Sequence, residues 1–246
     1  MIYVLSDIHG SRRRFDSVME QIGLRADDTL YVLGDVIDRH PDGIAILQEL
    51  RAMPNVRLLP GNHEYMMLQA LDRPYAAHSI LARYAYRDAI RRWYRNGGEV
   101  THASVRRMTP DARQELFRFL RQLPAQISLE AGGTRFRLVH AAPRELYSVY
   151  RDGFTSEQEF QVWYRMRPDE ALPGSMTVVF GHTPTMYFQK GQTLRIWRAG
   201  RMIGIDCGSG FPDTPVRQLP YQGRLACLRL DDMAEFYSKE QADPDG

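Results

Sequence analysis

Apolar residues near the start of the chain fall into short runs separated by stretches at helical spacing. Ile2 to Leu5, Thr29 to Leu33 and Val56 to Leu59 are rich in β-formers, and each is closed by a polar or Pro-Gly segment. After the first run, Phe15, Val18, Met19 and Ile22 share one helical face, and after the second Ile44, Leu47 and Leu50 do the same. Two strand-helix-strand units predict a parallel sheet with helices on its faces, because parallel neighbours need a crossover connection.

From Glu64 to Pro124 the strand pattern disappears and helical spacing takes over, with many arginines and with Tyr84, Tyr86, Trp93, Tyr94 and Phe117. This predicts a helical insertion or cap over residues 65–130, broken at Asn96-Gly97-Gly98, whose aromatics are expected to pack a core rather than line a groove. Thr109-Pro110 has the form of a helix start, with Thr109 as N-cap and Pro110 in the first turn. Strand-like runs return at Phe136 to Val139, Thr177 to Phe180, Met202 to Ile205 and Leu225 to Leu230. The expected class is α/β (α+β), a β-sandwich core flanked by helices. It forms one domain over residues 1–240, with a polar tail at 241–246 expected to be disordered.

Composition narrows the function classes. No apolar run approaches the roughly 20 residues of a membrane span, and no cationic leader follows Met1, so a cytoplasmic protein without a membrane partner is expected. Cys207 and Cys227 are too few for a disulfide framework. Lys190 and Lys239 are the only lysines among 32 basic residues, yet 30 acidic residues leave a net charge of only +2, so no nucleic-acid partner is indicated.

The chemistry sits where strands end. Asp7-Ile8-His9 follows the first run, Gly34-Asp35-Val36-Ile37-Asp38-Arg39 the second and Gly61-Asn62-His63-Glu64 the third; Val139-His140-Ala141 and Gly181-His182-Thr183 follow two later ones. Carboxyl ends of parallel strands share one edge of a sheet, so loops distant in sequence converge there. Carboxylate and imidazole donors together suit Mn, Fe or Zn, whereas Mg favours oxygen alone and structural Zn favours cysteine. Two cations roughly 4 Å apart need a shared anion, and Asp35, on the middle of the three strands, is the natural bridge.

The ordered set Asp-x-His, Gly-Asp-x-x-Asp-Arg, Gly-Asn-His-Glu, Val-His and Gly-His resembles the calcineurin-like metallophosphoesterase superfamily. Within it, the chain is most similar to the phosphoprotein phosphatases, in particular the small bacterial and phage serine/threonine enzymes of the lambda type. The resemblance covers residues 1–72 and about 134–230 and implies a four-layer fold. It implies two divalent metal ions, Mn first with Fe or Zn as alternatives, one held by Asp7, His9 and Asp35 and the other by Asp35, Asn62, His140 and His182. It further implies His63 as general acid, Asp38 as the carboxylate that orients it, and Arg39 with Arg165 as phosphate clamps, Arg167 being the alternative to Arg165. Asp206, in Ile205-Asp206-Cys207-Gly208, takes a supporting role.

Three departures from the family pattern are Ser6, His40 and Ala141, each in place of an expected residue and none of them a ligand. His40 would narrow the pocket beside Arg39 or stand as a bland loop residue. The implied reaction is hydrolysis of a phosphomonoester by metal-activated water, with a phosphoprotein or phosphopeptide as substrate and small phosphoesters as further possibilities. A symmetrical dinucleoside tetraphosphate hydrolase is the nearest alternative. In its bacterial form the Asp38 position is usually not aspartate, and the Gly-Asn-His motif ends in Asp rather than Glu64. A non-catalytic scaffold would be expected to have lost a ligand or the acid, and here every position is filled.

Overall fold

The computed structural model describes residues 1–72, 80–191, 193–212 and 221–239, and the tail at 241–246 lies outside them. In chain order the elements are β1 (Ile2–Leu5), α1 (Arg12–Ile22), β2 (Thr29–Val32), α2 (Gly43–Ala52), β3 (Val56–Leu58), α3 (Asn62–Leu71), α4 (Ile80–Arg95), α5 (Glu99–Arg106) and α6 (Pro110–Arg121). Then follow β4 (Gln126–Ala131), β5 (Thr134–Val139), α7 (Tyr147–Tyr150), α8 (Glu157–Trp163), β6 (Thr177–Phe180), β7 (Trp197–Ala199), β8 (Met202–Gly204), β9 (Ala226–Arg229) and β10 (Glu235–Tyr237).

Two five-stranded sheets result, ordered β10-β9-β1-β2-β3 and β4-β5-β6-β8-β7. The first three strands pair in parallel as their helical crossovers require. In the second sheet β5, β6 and β8 are parallel, with β4 and β7 antiparallel at the edges.

Strand periodicity sorts the apolar side chains into layers. Val4, Ala226 and Leu228 of the first sheet meet Phe136, Leu138, Val179 and Ile203 of the second in one buried cluster. Their strand neighbours Tyr3, Leu5 and Cys227 face the helical side, with Phe15, Ile46 and Leu47. Val139, Val178, Phe180 and Met202 point the other way, against Leu146 and Phe160. The expected sandwich flanked by helices is therefore present as two mixed sheets between helical layers.

The helical stretch behaves differently from an independent cap. Trp93, Val105, Leu116, Phe117 and Leu120 belong to the same cluster as Phe15 and Leu47, so the insertion completes the main core instead of forming its own. Tyr84 and Tyr86 remain exposed, at 65% and 45%. Thr109 caps α6 as expected, its hydroxyl accepting from the Ala112 N–H at 3.3 Å.

The range 65–130 needs correction at its end. Helix stops at Arg121, and β4 begins at Gln126 as one arm of a hairpin pairing Gln126 with Val139 and Ala131 with Thr134. The alternation of Ile127 and Leu129 before Gly132-Gly133 carried that signal. Strands β7 and β10, three residues each, are too short for periodicity to reveal. Among the described residues no helix is long and apolar enough to cross a membrane.

Candidate metal centre

The loops after β1 and β2 extend the sheet beyond its regular ladder. The N–H groups of Asp7, His9 and Gly10 donate to the carbonyls of Gly34, Asp35 and Val36 at 3.1, 2.9 and 2.8 Å. In the second sheet the Gly181 N–H donates to the His140 carbonyl at 2.9 Å, and the His182 N–H donates to the Asp7 carboxylate at 3.0 Å, joining the two sheet edges. Asp7, His9, Asp35, Asp38, Arg39 and His182 adopt positive φ between 52° and 73°, which leaves Met233 as the only other non-glycine among the described residues to do so. Such conformations cost of order 1–3 kcal/mol each and concentrate at working sites. Close approach adds a further demand, since a Cβ on Gly61 would collide with the Asp35 carboxylate.

Three histidines share one arrangement. An outer ring nitrogen of each meets a backbone carbonyl: His9 Nδ1 with Ile37 at 3.2 Å, His140 Nδ1 with Leu33 at 2.6 Å, and His182 Nε2 with Trp163 at 3.1 Å. The inner nitrogens turn toward oxygen atoms that are themselves acceptors. Asn62 Oδ1 lies 3.0 Å from His140 Nε2 and 2.8 Å from His182 Nδ1, and Asp35 Oδ2 lies 3.7 Å from His9 Nε2 and 3.6 Å from His140 Nε2.

Outer N–H on a carbonyl and inner lone pair facing other lone pairs is the disposition of metal-ligating imidazoles. Two groups of ligand atoms lie within 4.8 Å of one another, His9-Asp35-His63 and Asp35-His140-His182, with Asp35 common to both. Asp7 Oδ1 is 3.9 Å from His9 Nε2, which places Asp7 beside the first group as well.

Electrostatics fits the same arrangement. Burial holds His9 and His182 well below the usual histidine range and lowers His140, a shift toward the neutral ring that a cation requires. Burial, together with Asp206 and Asp35, pushes Asp7 well above the usual carboxylate range. Burial likewise pushes Asp206 up to about 6. Three buried carboxylates around one cleft make a site that cations would neutralise.

His63 differs from the other three. Its Nδ1 meets a carboxylate, Asp38 Oδ2, at 2.6 Å, and its Nε2 stands 3.4 Å from the Arg39 guanidinium. Burial alone would lower its pKa, but Asp35 and Asp38 outweigh burial and hold it above the usual histidine value. Asp38 Oδ2 also accepts the Trp93 indole N–H at 2.8 Å, and the Asp38 backbone N–H donates to Thr101 Oγ1 at 2.9 Å. Trp93 and Thr101 carry no motif, and sequence reading missed both.

Arg39 and Arg165 line one cleft of about 220 Å³ with Asp7, Asp35, Asn62, His63, His182 and Asp206. Arg167 turns elsewhere, donating to the Tyr150 hydroxyl at 3.1 Å and pairing with Glu170. His40 is half-buried and is not part of the cleft lining.

Glu64 is buried and bound on every side. Its carboxylate accepts the N–H groups of Asp35, Val36 and Gly61 at 2.8–2.9 Å, pinning the loop after β2 to the start of α3. Burial and Asp35 push it up to about 7. Removing it by Glu64→Ala would leave those donors buried without acceptors, at about 1–3 kcal/mol each. Thermal unfolding is therefore expected to drop by roughly 10 °C. An unchanged midpoint would contradict this role.

A family profile for calcineurin-like phosphoesterases matches residues 1–197. The chain belongs to the calcineurin-like phosphoesterase family. Proteins of this family work with pairs of divalent metals, and His/Asp groups suited to such ions are present in this chain.

Curated relatives of this chain include the symmetrical bis(5'-nucleosyl)-tetraphosphatase of Acidovorax sp. (strain JS42). It is 31% identical over 142 residues, which are 57% of this chain and 43% of that one. The enzyme of that name from Paracidovorax citrulli (strain AAC00-1) is 26% identical over 200 residues, 80% of this chain and 62% of its own. The chain spans less than two thirds of the length of either.

Among solved structures, a candidate diadenosine tetraphosphatase superposes with a TM-score of 0.56 at 18% identity, covering 96% of this chain and 91% of that one. A serine/threonine phosphatase from Saccharomyces cerevisiae with similarity to human phosphatase PP5 superposes at 0.55 and 13% identity, covering 99% and 81%. These near-equal scores establish the fold and leave the substrate open. The lambda-type protein phosphatase resemblance is narrower than the family match supports, because the curated relatives named here are dinucleotide hydrolases.

Proposed function

We propose that this protein hydrolyses phosphoric esters or anhydrides with two divalent cations, one held by Asp7, His9 and Asp35 and the other by Asp35, Asn62, His140 and His182. The observation that carries this is the shared arrangement of the three histidines, outer nitrogen on a carbonyl and inner nitrogen aimed at Asp35 or Asn62. When bound, the cations would bring the pKa of a water near neutrality and offset phosphate charge. Manganese is the first choice of metal on the family resemblance, and the mixed carboxylate and imidazole donors suit Mn, Fe and Zn alike.

The chain's own groups do the rest. Arg39 and Arg165 face the cleft and would grip phosphoryl oxygens in forked geometry. His63, with Nδ1 held by Asp38 and its pKa raised by Asp35 and Asp38 against its burial, would deliver a proton to the leaving oxygen through Nε2. Arg165→Ala is expected to lower kcat/KM by roughly 10- to 100-fold, the loss of a charged hydrogen bond. Arg167→Ala should stay within about threefold, as surface changes do. Equal losses in the two variants would reject the assignment of Arg165.

For the substrate, a symmetrical dinucleoside tetraphosphate comes first, reversing the order that the motifs alone suggest. Support comes from the activity by which the curated relatives are named, and from the rim of the cleft. Tyr187 stands 64% exposed there with the Arg165 guanidinium 5.6 Å from its ring, a surface suited to a nucleobase. A phosphoprotein substrate is the second reading, favoured by the Asp38–His63 pair and by Glu64. Parallel assays with Mn on diadenosine tetraphosphate and on phosphoserine peptides separate the two. Faster release of adenosine diphosphate supports the first reading, and faster release of inorganic phosphate from peptide overturns it.

A further inference from the structure

The helices α4 and α5 contribute none of the five motifs, yet they hold the Asp38–His63 pair in place. We propose that Trp93 is a positioning residue for proton delivery, fixing Asp38 so that His63 presents Nε2 to the cleft. This inference rests on the reading of His63 as the proton donor.

Asp38 Oδ2 accepts from His63 Nδ1 at 2.6 Å and from Trp93 Nε1 at 2.8 Å, while Oδ1 has no hydrogen-bond partner among the described residues. Both bonds that orient the carboxylate thus converge on one oxygen. An indole N–H donates and never accepts, so Asp38 must act as acceptor there. His63 then carries its proton on Nδ1 as well, and Nε2 points to the cleft, beside the Arg39 guanidinium at 3.4 Å. Trp93 and Asp38 are both fully buried, so water does not compete for the bond.

The Asn96-Gly97-Gly98 break has a purpose in this arrangement. A Cβ on Gly98 would sit 2.5 Å from Trp93 Cδ1 and collide with Nε1, so only a bare glycine lets the indole lie where it does. The Gly97 carbonyl accepts the Arg39 N–H at 3.0 Å, and Thr101 Oγ1 accepts that of Asp38 at 2.9 Å. Asp38 and Arg39 have φ of 73° and 68°, and the turn after Trp93 and the helix α5 that follows it hold them there. The insertion therefore serves the proton donor directly and does more than flank the cleft.

The test uses leaving-group dependence in the Mn-loaded full-length protein. Trp93→Phe keeps the aromatic packing and removes the N–H. Turnover of glycerol 2-phosphate, whose alkoxide must be protonated, is expected to fall roughly 10- to 100-fold, the scale of one hydrogen bond to a charged group. Turnover of p-nitrophenyl phosphate should change less than about threefold, because that leaving group departs without a proton. In a His63→Asn background, Trp93→Phe should cost nothing further.

Gly98→Ala, which displaces the indole but retains it, is expected to reproduce the pattern should Trp93→Phe fold poorly. Equal losses on both substrates, or additive losses with His63→Asn, would overturn the inference while leaving His63 as the donor. If His63→Asn itself spares glycerol 2-phosphate, the donor assignment falls and the role of Trp93 falls with it.

Discussion

Asp35→Asn is expected to strip the protein of metal and of hydrolysis together. Asp35 Oδ2 is the oxygen common to both donor groups, 3.7 Å from His9 Nε2 and 3.6 Å from His140 Nε2. An amide at this position removes the anion between two cations and turns an N–H₂ group toward imidazole nitrogens that need lone pairs aimed inward. Substitution of a residue that merely supports a ligand costs about 10–100-fold in metal affinity, and loss of a bridge should exceed that. The backbone would survive, because the His63 N–H that donates to Asp35 Oδ1 at 2.9 Å can still meet an amide oxygen. Elemental analysis of the purified variant checks this, and two ions per chain would refute the bridge.

His63→Asn should separate chemistry from metal binding. His63 is itself a member of the first group of possible ligand atoms, 3.8 Å from Asp35 Oδ2, yet its Nδ1 is committed to Asp38 rather than to a carbonyl. That difference is why it is read as a proton donor and not as a ligand. The variant is expected to keep its metal while turnover of a substrate with a poor leaving group falls by roughly two to four orders of magnitude. Loss of metal along with activity would instead make His63 a ligand.

Much of the site was legible because parallel strands deliver their carboxyl ends to one edge. Asp7, His9, Asp35, Asn62, His140 and His182 each follow a run that became a strand, and local sequence sufficed to bring them together. Arg165 was separable from Arg167 only in three dimensions, where the latter turns to Tyr150 and Glu170. Trp93 and Thr101 were not legible at all. They reach Asp38 across 55 and 63 residues of sequence, and a tryptophan at helical spacing reads as core, which Trp93 also is. Glu64 was visible as part of a motif, but its binding to three backbone N–H groups needed the folded loops. The hairpin at β4 was missed for a plainer reason: its alternation begins within a stretch read as helical throughout.

Metal titration of chelator-stripped protein, followed by hydrolysis of diadenosine tetraphosphate or p-nitrophenyl phosphate, tests the dinuclear centre most directly. Binding of two Mn ions per chain is expected, with hydrolysis absent before addition and restored in step with the second ion. Hydrolysis that persists after stripping, or that saturates with one ion bound, would contradict it.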